Sequence, residues 1–164
     1  MSLQDEYQQI KQLVSLRQRR VERAVENVFR AKQELENQRS EKCRRLEQIE
    51  VLQHERWSVR LQCLTVNAGR LNDHQLLVRH AGHLQTRIDH EVQQVVTIDQ
   101  AIVNAAQAVE DAQRELNALR QKFQALESQA AQFKLAIKTQ KSQNEQRKLE
   151  EQVTGRHSNE SLHG

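Results

Sequence analysis

The sequence predicts an all-α protein, an elongated antiparallel coiled-coil hairpin of two helices. Its 164 residues include no proline and only four glycines, and 29% of them are charged while 3% are aromatic. Glu, Gln, Lys, Arg, Ala and Leu dominate, and these residues lose little conformational freedom in a helix. A chain this polar could instead be disordered, but disordered chains usually lack the regular apolar period that this one has.

The strictest apolar period lies in residues 102–137. Apolar residues recur there at alternating steps of three and four, at Ile102, Ala105, Val109, Ala112, Leu116, Leu119, Phe123, Leu126, Ala130, Phe133 and Ile137. Such steps form the buried stripe, or seam, of a coiled coil. A seam of this kind must pack against another helix.

A similar seam in the N-terminal half predicts the partner helix. A 4-3-4-3 series visits fourteen positions in residues 10–56, and nine of them are apolar. The polar positions concentrate at 38–45, and Leu46 suggests that the seam shifts by one position there. Ser2 followed by Asp5 predicts a helix start of the capping-box type.

These patterns predict a single hairpin domain over residues 1–152. The first helix is expected at about 4–66 and the second at about 84–152. A turn region at about 67–83 contains glycine, asparagine and aspartate, which favour turns. Residues 153–164 have no seam and are predicted to form a flexible tail.

The two seams also predict a register. If the turn centres near residues 70–76, Ile10 lies near Ile137 and Leu35 near Ala112. The helix pair would then bury both seams within one chain, so we expect a monomeric hairpin.

Several classes of function are disfavoured by the sequence. It contains no phosphate-binding loop and no nucleophile elbow, so we expect no enzyme and no cofactor. No run of about twenty apolar residues could span a membrane, and the start lacks the apolar core of a secretory signal. Cys43 and Cys63 show no pairing signature, which is typical of reduced thiols in the cytoplasm.

Four histidines, His74, His80, His83 and His90, gather near the turn, and Cys63 could approach them. His80 and His83 are three residues apart, a spacing that can bind a metal ion. The paired cysteine or His-Glu-x-x-His context of known sites is missing, so we predict no metal site.

Charge is distributed unevenly along the first helix. Residues 11–45 contain eleven Lys/Arg and five Glu, including the runs RQRR and KCRR. This surplus of positive charge could bind nucleic acid or an acidic protein surface. It could also belong to a solvated helix surface with i,i+4 ion pairs. Glutamates interleave the arginines and no aromatic residue accompanies them, which disfavours nucleic acid.

Apolar residues also gather near the turn, in greater number than the tip of a two-helix hairpin can bury. They either form a small cap with the loop or present a patch to a partner.

Two long stretches of the sequence are YQQIKQLVSLRQRRVERAVENVFRAKQEL (Tyr7–Leu35) and AIVNAAQAVEDAQRELNALRQKFQAL (Ala101–Leu126). Both resemble the central stalk proteins of type III secretion, in both the injectisome and the flagellar export branches. Proteins of this family are similar in shape to the γ subunit of rotary ATPases.

The resemblance implies a non-enzymatic stalk at the cytoplasmic face of an inner-membrane secretion apparatus. The stalk would bind the hexameric export ATPase, promote its assembly and activity, and link it to the membrane export gate; some members also bind export chaperones. A role in virulence follows for the injectisome branch.

Position in the hairpin suggests which residues would carry these roles. The residues expected to bind the ATPase are Arg17, Arg19, Arg20, Arg23, Lys134 and Lys138. The residues expected to face the export gate or chaperones are Trp57, Leu61, Leu71 and Leu76. The alternatives are a structural coiled-coil spacer or oligomerisation protein and, less favoured, a basic nucleic-acid-binding helical protein.

Overall fold

The computed structural model describes residues 2–66 and 70–162, and it is an all-α helical hairpin. Helix α1 spans Leu3–Thr65 and helix α2 spans Leu71–Ser161, and the two pack against each other. The described residues include no strand, and none of the described helices has a stretch apolar enough to cross a membrane. The predicted fold class is therefore confirmed.

The start of α1 is a reciprocal cap between two side chains. The Asp5 amide donates to Ser2 Oγ at 3.2 Å, and the Ser2 amide donates to Asp5 Oδ2 at 3.1 Å. The Ser2 hydroxyl also donates to the same carboxylate, and these hydrogen bonds lower the pKa of Asp5. The predicted capping box is confirmed, and it satisfies amide groups that have no partner at a helix start.

The predicted turn region 67–83 is too long. Helix α2 begins at Leu71, so residues 71–83 are helical. Asp73 lies in the first turn of α2, where a negative charge is favourable because of the helix dipole, and Gly82 lies inside the helix. Residues 67–69 of the predicted turn lie outside the described residues.

The second helix also continues past its predicted end. It extends to Ser161, so residues 153–161 are helical rather than a flexible tail. The hydroxyl of Thr154 donates to the Glu150 carbonyl at 2.7 Å, and that of Ser158 donates to the Gly155 carbonyl at 3.0 Å. Residues 163–164 lie outside the described part.

The chain divides into two compact units. Unit 1 consists of Met1–Val25 and Arg114–Gly164, and unit 2 is Glu26–Gln113. Each unit contains a segment of α1 and a segment of α2.

An apolar cluster of unit 2 lies between the end of α1 and the start of α2. Its buried members are Ile49, Leu52, Val59, Leu84 and Ile88, and Leu77, Ala81 and Val95 pack against them. Leu52 and Leu84 are almost completely buried. Burial of a leucine side chain stabilises the fold by about 1.5–3 kcal/mol, so this cluster is the main apolar anchor of unit 2.

The seam of α1 continues without a shift through its polar stretch. Gln38, Lys42 and Arg45 are half-buried at seam positions, whereas the side chain of Leu46 is 45% exposed. The predicted shift at Leu46 is therefore wrong. Polar side chains can occupy seam positions here because α2 supplies charged partners for two of them.

Two ion pairs connect α1 and α2 in this stretch. Arg45 Nη1 donates to both carboxylate oxygens of Glu91, at 2.9 and 3.1 Å, and the two side chains are 28% and 16% exposed. Lys42 pairs with Asp99 at 2.7 Å. A charged pair at seam positions favours one alignment of the helices, because any slip separates the partners.

A second carboxylate completes this network from α1 itself. Glu41 accepts hydrogen bonds from Arg44 at 2.7 and 2.9 Å and from Arg45 Nε at 2.9 Å. The hydrogen bonds from Arg44, followed by that from Arg45, lower the pKa of Glu41 from 4.5 to about 2. The carboxylate is therefore held in its charged form.

The predicted register is wrong by two to three helical turns in unit 2. A register that places Ile10 near Ile137 would place Arg45 near residue 102, but Arg45 pairs with Glu91. The cause is the shorter turn. Moving the centre of an antiparallel turn by one residue moves every partner by two, so an error of about five residues becomes about ten.

The predicted register is also wrong in unit 1. Leu3, rather than Ile10, lies beside the part of α2 that contains Ile137, since Leu3 lines a shallow groove with Leu135, Ala136 and Thr139. Residues 144–162 are exposed throughout. The apolar seam of α2 therefore ends at about the level where α1 begins, and residues 144–162 have no buried seam position.

We predict that the ion pair contributes more to specificity than to stability. Arg45→Met leaves Glu91 half-buried with no partner and should lower the free energy of unfolding by about 1–3 kcal/mol. Glu91→Leu should cost less, since Arg45 keeps Glu41. The double variant should come within about 1 kcal/mol of the wild type, because apolar pairs often replace buried ion pairs without loss. Urea unfolding followed by circular dichroism measures all four proteins, and a double variant as unstable as Arg45→Met would contradict the prediction.

We also predict a loss of stability in acid that depends on Glu41. The pKa of this group is lower in the folded chain than in the unfolded chain, so its contribution is complete above pH 4.5. That contribution should disappear as the pH falls from about 4.5 to about 2, because protonation then favours the unfolded state. Thermal unfolding of wild type and Glu41→Gln at steps of pH tests this. The difference between them should shrink in acid, and a constant difference would argue against it.

Candidate protein-binding surfaces

Unit 1 carries a basic cluster on α1 that consists of Arg17, Arg19, Arg20 and Arg23. Arg17 occupies a seam position and is half-buried, while the other three are exposed. The difference follows from the helical period, because the 4-3-4-3 series visits Arg17 and passes over the other three. Three of the four guanidinium groups are therefore accessible to a partner.

The arginines of the basic cluster lack a neutralising partner among residues 2–66 and 70–162. None of its four arginines forms an ion pair in the described residues, and the nearby Glu22 accepts instead from Gln18 at 3.5 Å. Arg44 and Arg45 of unit 2 differ, because each of them pairs with Glu41. An exposed arginine without an internal partner can form a charge-assisted hydrogen bond to another protein.

The two lysines predicted to join this cluster lie elsewhere in unit 1. Lys134 and Lys138 are on the turns of α2 that face Leu3. Leu3 is fourteen residues before Arg17, which is about 21 Å along the helix at 1.5 Å per residue. The six residues therefore form two basic sites rather than one.

In the observed register, basic residues of α2 other than Lys134 and Lys138 lie opposite the basic cluster. Because Leu3 lies opposite residues 132–143, Arg17 and Arg20 lie opposite a stretch near residues 116–126. The exposed Arg120 and Lys122 fall in that stretch. Sequence reasoning missed both because the predicted register placed them farther along α1.

The two units differ in net charge. Unit 1 contains fourteen Lys/Arg and nine Asp/Glu, whereas unit 2 contains eleven Lys/Arg and thirteen Asp/Glu. The positive charge of the chain therefore resides in unit 1. A partner that binds unit 1 through electrostatic attraction should present an acidic surface.

Unit 2 contains an apolar groove of about 570 Å³ between the end of α1 and the start of α2. Its lining residues are Arg56, Trp57, Arg60, Leu61, Cys63, Leu64, Val78, Ala81, Gly82 and Gln85. The predicted residues Trp57 and Leu61 are thus brought together. Leu71 and Leu76 are also exposed, but they are not among the residues that line the groove.

The α2 side of the groove includes two small residues, Ala81 and Gly82, between Val78 and Gln85. Ala81 packs against the core below, and a Cβ atom added at Gly82 would meet no atom within 4 Å. The larger walls are Leu64 and Trp57 of α1, and the side chain of Trp57 is 60% exposed. Sequence reasoning missed Gly82 because its helical context was assigned to the turn.

The charged groups at the groove are basic. Arg56 and Arg60 line it and form no ion pair in the described residues. Glu55 lies beside them in sequence but is 3.7 Å from His80. Among residues 2–66 and 70–162, no three His, Cys, Asp or Glu side chains converge where a metal ion could bind.

The chain therefore presents two kinds of surface for binding, a basic cluster in unit 1 and an apolar groove with basic edges in unit 2. No protein-family model matches the chain, and no curated protein or solved structure matches it either.

Proposed function

We propose that this protein is a non-enzymatic stalk component of a type III secretion system. Unit 1 binds the hexameric secretion ATPase and promotes its assembly and activity. Unit 2 contacts the membrane export gate and, in some states, export chaperones. The site of action is the cytoplasmic face of the inner-membrane secretion apparatus, and a role in virulence follows if the apparatus is an injectisome.

The observation that carries the proposal is the excess of positive charge in unit 1, which includes the exposed arginines of the basic cluster. Both terminal segments of the chain belong to this unit, and in the stalk family the end with the termini enters the ATPase. Arg19, Arg20 and Arg23 are exposed there and pair with no acidic side chain in the part of the chain that the structure describes. Acidic groups on the inner surface of an ATPase ring would complement them.

The assignment of unit 2 to the gate rests on the apolar groove. Trp57 and Leu61 are exposed aromatic and aliphatic residues at a concave site, and such residues often anchor protein interfaces. The internal use of both seams supports the stalk proposal in another way. A hairpin that buries its own seam leaves its outer faces available for different partners.

Charge reversal of the basic cluster should separate the two roles. The variant Arg19→Glu, Arg20→Glu, Arg23→Glu should raise the concentration needed for half-maximal ATPase stimulation at least about tenfold, which corresponds to about 1.4 kcal/mol. The measurement is ATP hydrolysis by the secretion ATPase of the same organism, titrated with each stalk protein at two salt concentrations. Arg17 is left unchanged because it is half-buried and its removal would also disturb the seam.

The matched control carries the same number of reversed charges in unit 2, at Arg39, Arg79 and Arg87. These arginines are exposed and have no ion pair within the described residues. The control should stimulate the ATPase like the wild type. Equal stimulation by both variants, or no stimulation by the wild type, would reject the proposed ATPase contact.

A structural spacer that self-associates is the second candidate. It is favoured by exposed apolar residues of unit 2 outside the groove, namely Phe29, Val96 and Val103. The stalk proposal expects a monomer in sedimentation equilibrium over a hundredfold range of concentration. A dimer that dissociates on Phe29→Ser and Val96→Ser would favour the spacer.

A further inference from the structure

We propose that the apolar groove of unit 2 binds an amphipathic helix of a partner protein, and that the partner helix carries acidic residues beside its apolar stripe. The inference deepens the proposed function, because Trp57 and Leu61, which are assigned to the gate or chaperones, line this groove. It adds the secondary structure and the charge of the bound segment.

The shape of the groove fits a helix. It is bounded by two packed antiparallel helices, and a third helix can lie along such a groove as in a three-helix bundle. Ala81 and Gly82 form a low floor, since no atom lies within 4 Å of the position that a Gly82 Cβ atom would take. Small residues let a neighbouring helix approach closely, so larger apolar side chains of the partner can fill the space.

The walls of the groove supply apolar contact at regular helical spacing. Trp57, Leu61 and Leu64 lie three and four residues apart on α1, and Val78 faces them from α2. An incoming helix with apolar residues at positions i, i+3, i+4 and i+7 would match this surface. Burial of the exposed Trp57 ring would supply a large part of the binding free energy.

The charge of the groove selects the partner. Arg56 and Arg60 are the charged lining residues, and neither has an acidic partner in the described residues. Glutamate or aspartate on the flank of the incoming helix could accept hydrogen bonds from them. Basic flanks would instead face two arginines at close range, which disfavours a basic helix.

A membrane surface and a second copy of this chain are the competing occupants. A bilayer is flat on this scale and would not fill a concave site with a low floor. A second hairpin could enter only through one helix of an already packed pair, and it would bring arginines of its own groove toward Arg56 and Arg60. The observations therefore favour a single acidic helix.

The experiment uses the full chain and two synthetic peptides of about eighteen residues. Both peptides have Leu at i, i+3, i+4 and i+7 and contain no aromatic residue; one has Glu on its flanks and the other has Lys. Trp57 is the only tryptophan of the chain, so its emission reports occupancy of the groove. The Glu peptide should shift the emission to shorter wavelength, with weaker binding at high salt, and the Lys peptide should not.

Two helical glycines provide matched variants. Gly82→Leu should fill the floor of the groove and abolish the emission shift. Gly155→Leu is the control, because Gly155 also lies in α2 with no atom within 4 Å of an added Cβ atom but belongs to unit 1. Both substitutions favour the helix by up to about 1 kcal/mol, so neither should unfold the chain.

The arginines are tested separately. Arg56→Gln with Arg60→Gln should weaken binding of the Glu peptide about five- to tenfold, as expected for the loss of two charge pairs, one with the half-buried Arg56 and one with the exposed Arg60. The inference is overturned by an equal response to both peptides or by no response to the Glu peptide. It is also overturned by a shift with phosphatidylglycerol vesicles alone, or by self-association that Gly82→Leu abolishes. The assay contains no ATPase, so its failure and the failure of the ATPase contact are distinguishable.

Discussion

The pairing of the two seams within one chain is the constraint on which the other features depend. In unit 2 the apolar cluster around Leu52 and Leu84 supplies most of the burial, but apolar contacts between similar layers tolerate slippage along a coiled coil. The Arg45–Glu91 pair does not, because each partner has specific hydrogen bonds to lose. Apolar burial therefore supplies the affinity between the helices, and the ion pair specifies their alignment. The alignment in turn determines which outer residues become neighbours.

Positions on the seam could be read from the sequence with little error, because they depend only on the local period of a helix. Even Arg17 and Lys42, polar residues in an apolar series, are half-buried where the 4-3-4-3 steps place them. The turn could not be read in the same way. Gly82 suggests a break when it is considered alone, but its helical neighbours pack against the core, and that packing outweighs a propensity cost of about 1 kcal/mol. Asp73 likewise suits both a turn and the first turn of a helix.

The residue types of the candidate surfaces could be predicted from the sequence, but not which residues share a surface. A surplus of arginine and a gathering of leucine are visible in the sequence, and the structure shows the exposed members of both. Which residues share a surface depends on the register, and an antiparallel hairpin doubles any error in the turn. For this reason Lys138 is separated from the basic cluster, and Arg120 is an α2 residue that lies opposite the cluster. Similarly, Val78 lines the groove with Trp57, whereas Leu76 does not.

Arginine has two different roles in unit 2, and the hydrogen bonds of each arginine show which role it has. Arg45 donates to Glu91 and Glu41, so its charge is already compensated and a partner could gain little by contacting it. Arg60 lies at the edge of an apolar groove, and none of the described acidic side chains pairs with it. An acidic partner there would gain the full interaction and would also bury Trp57. Arginines that are paired within the chain thus fix the alignment of the two helices. Arginines without such a pair beside the apolar groove mark where we expect another protein to bind.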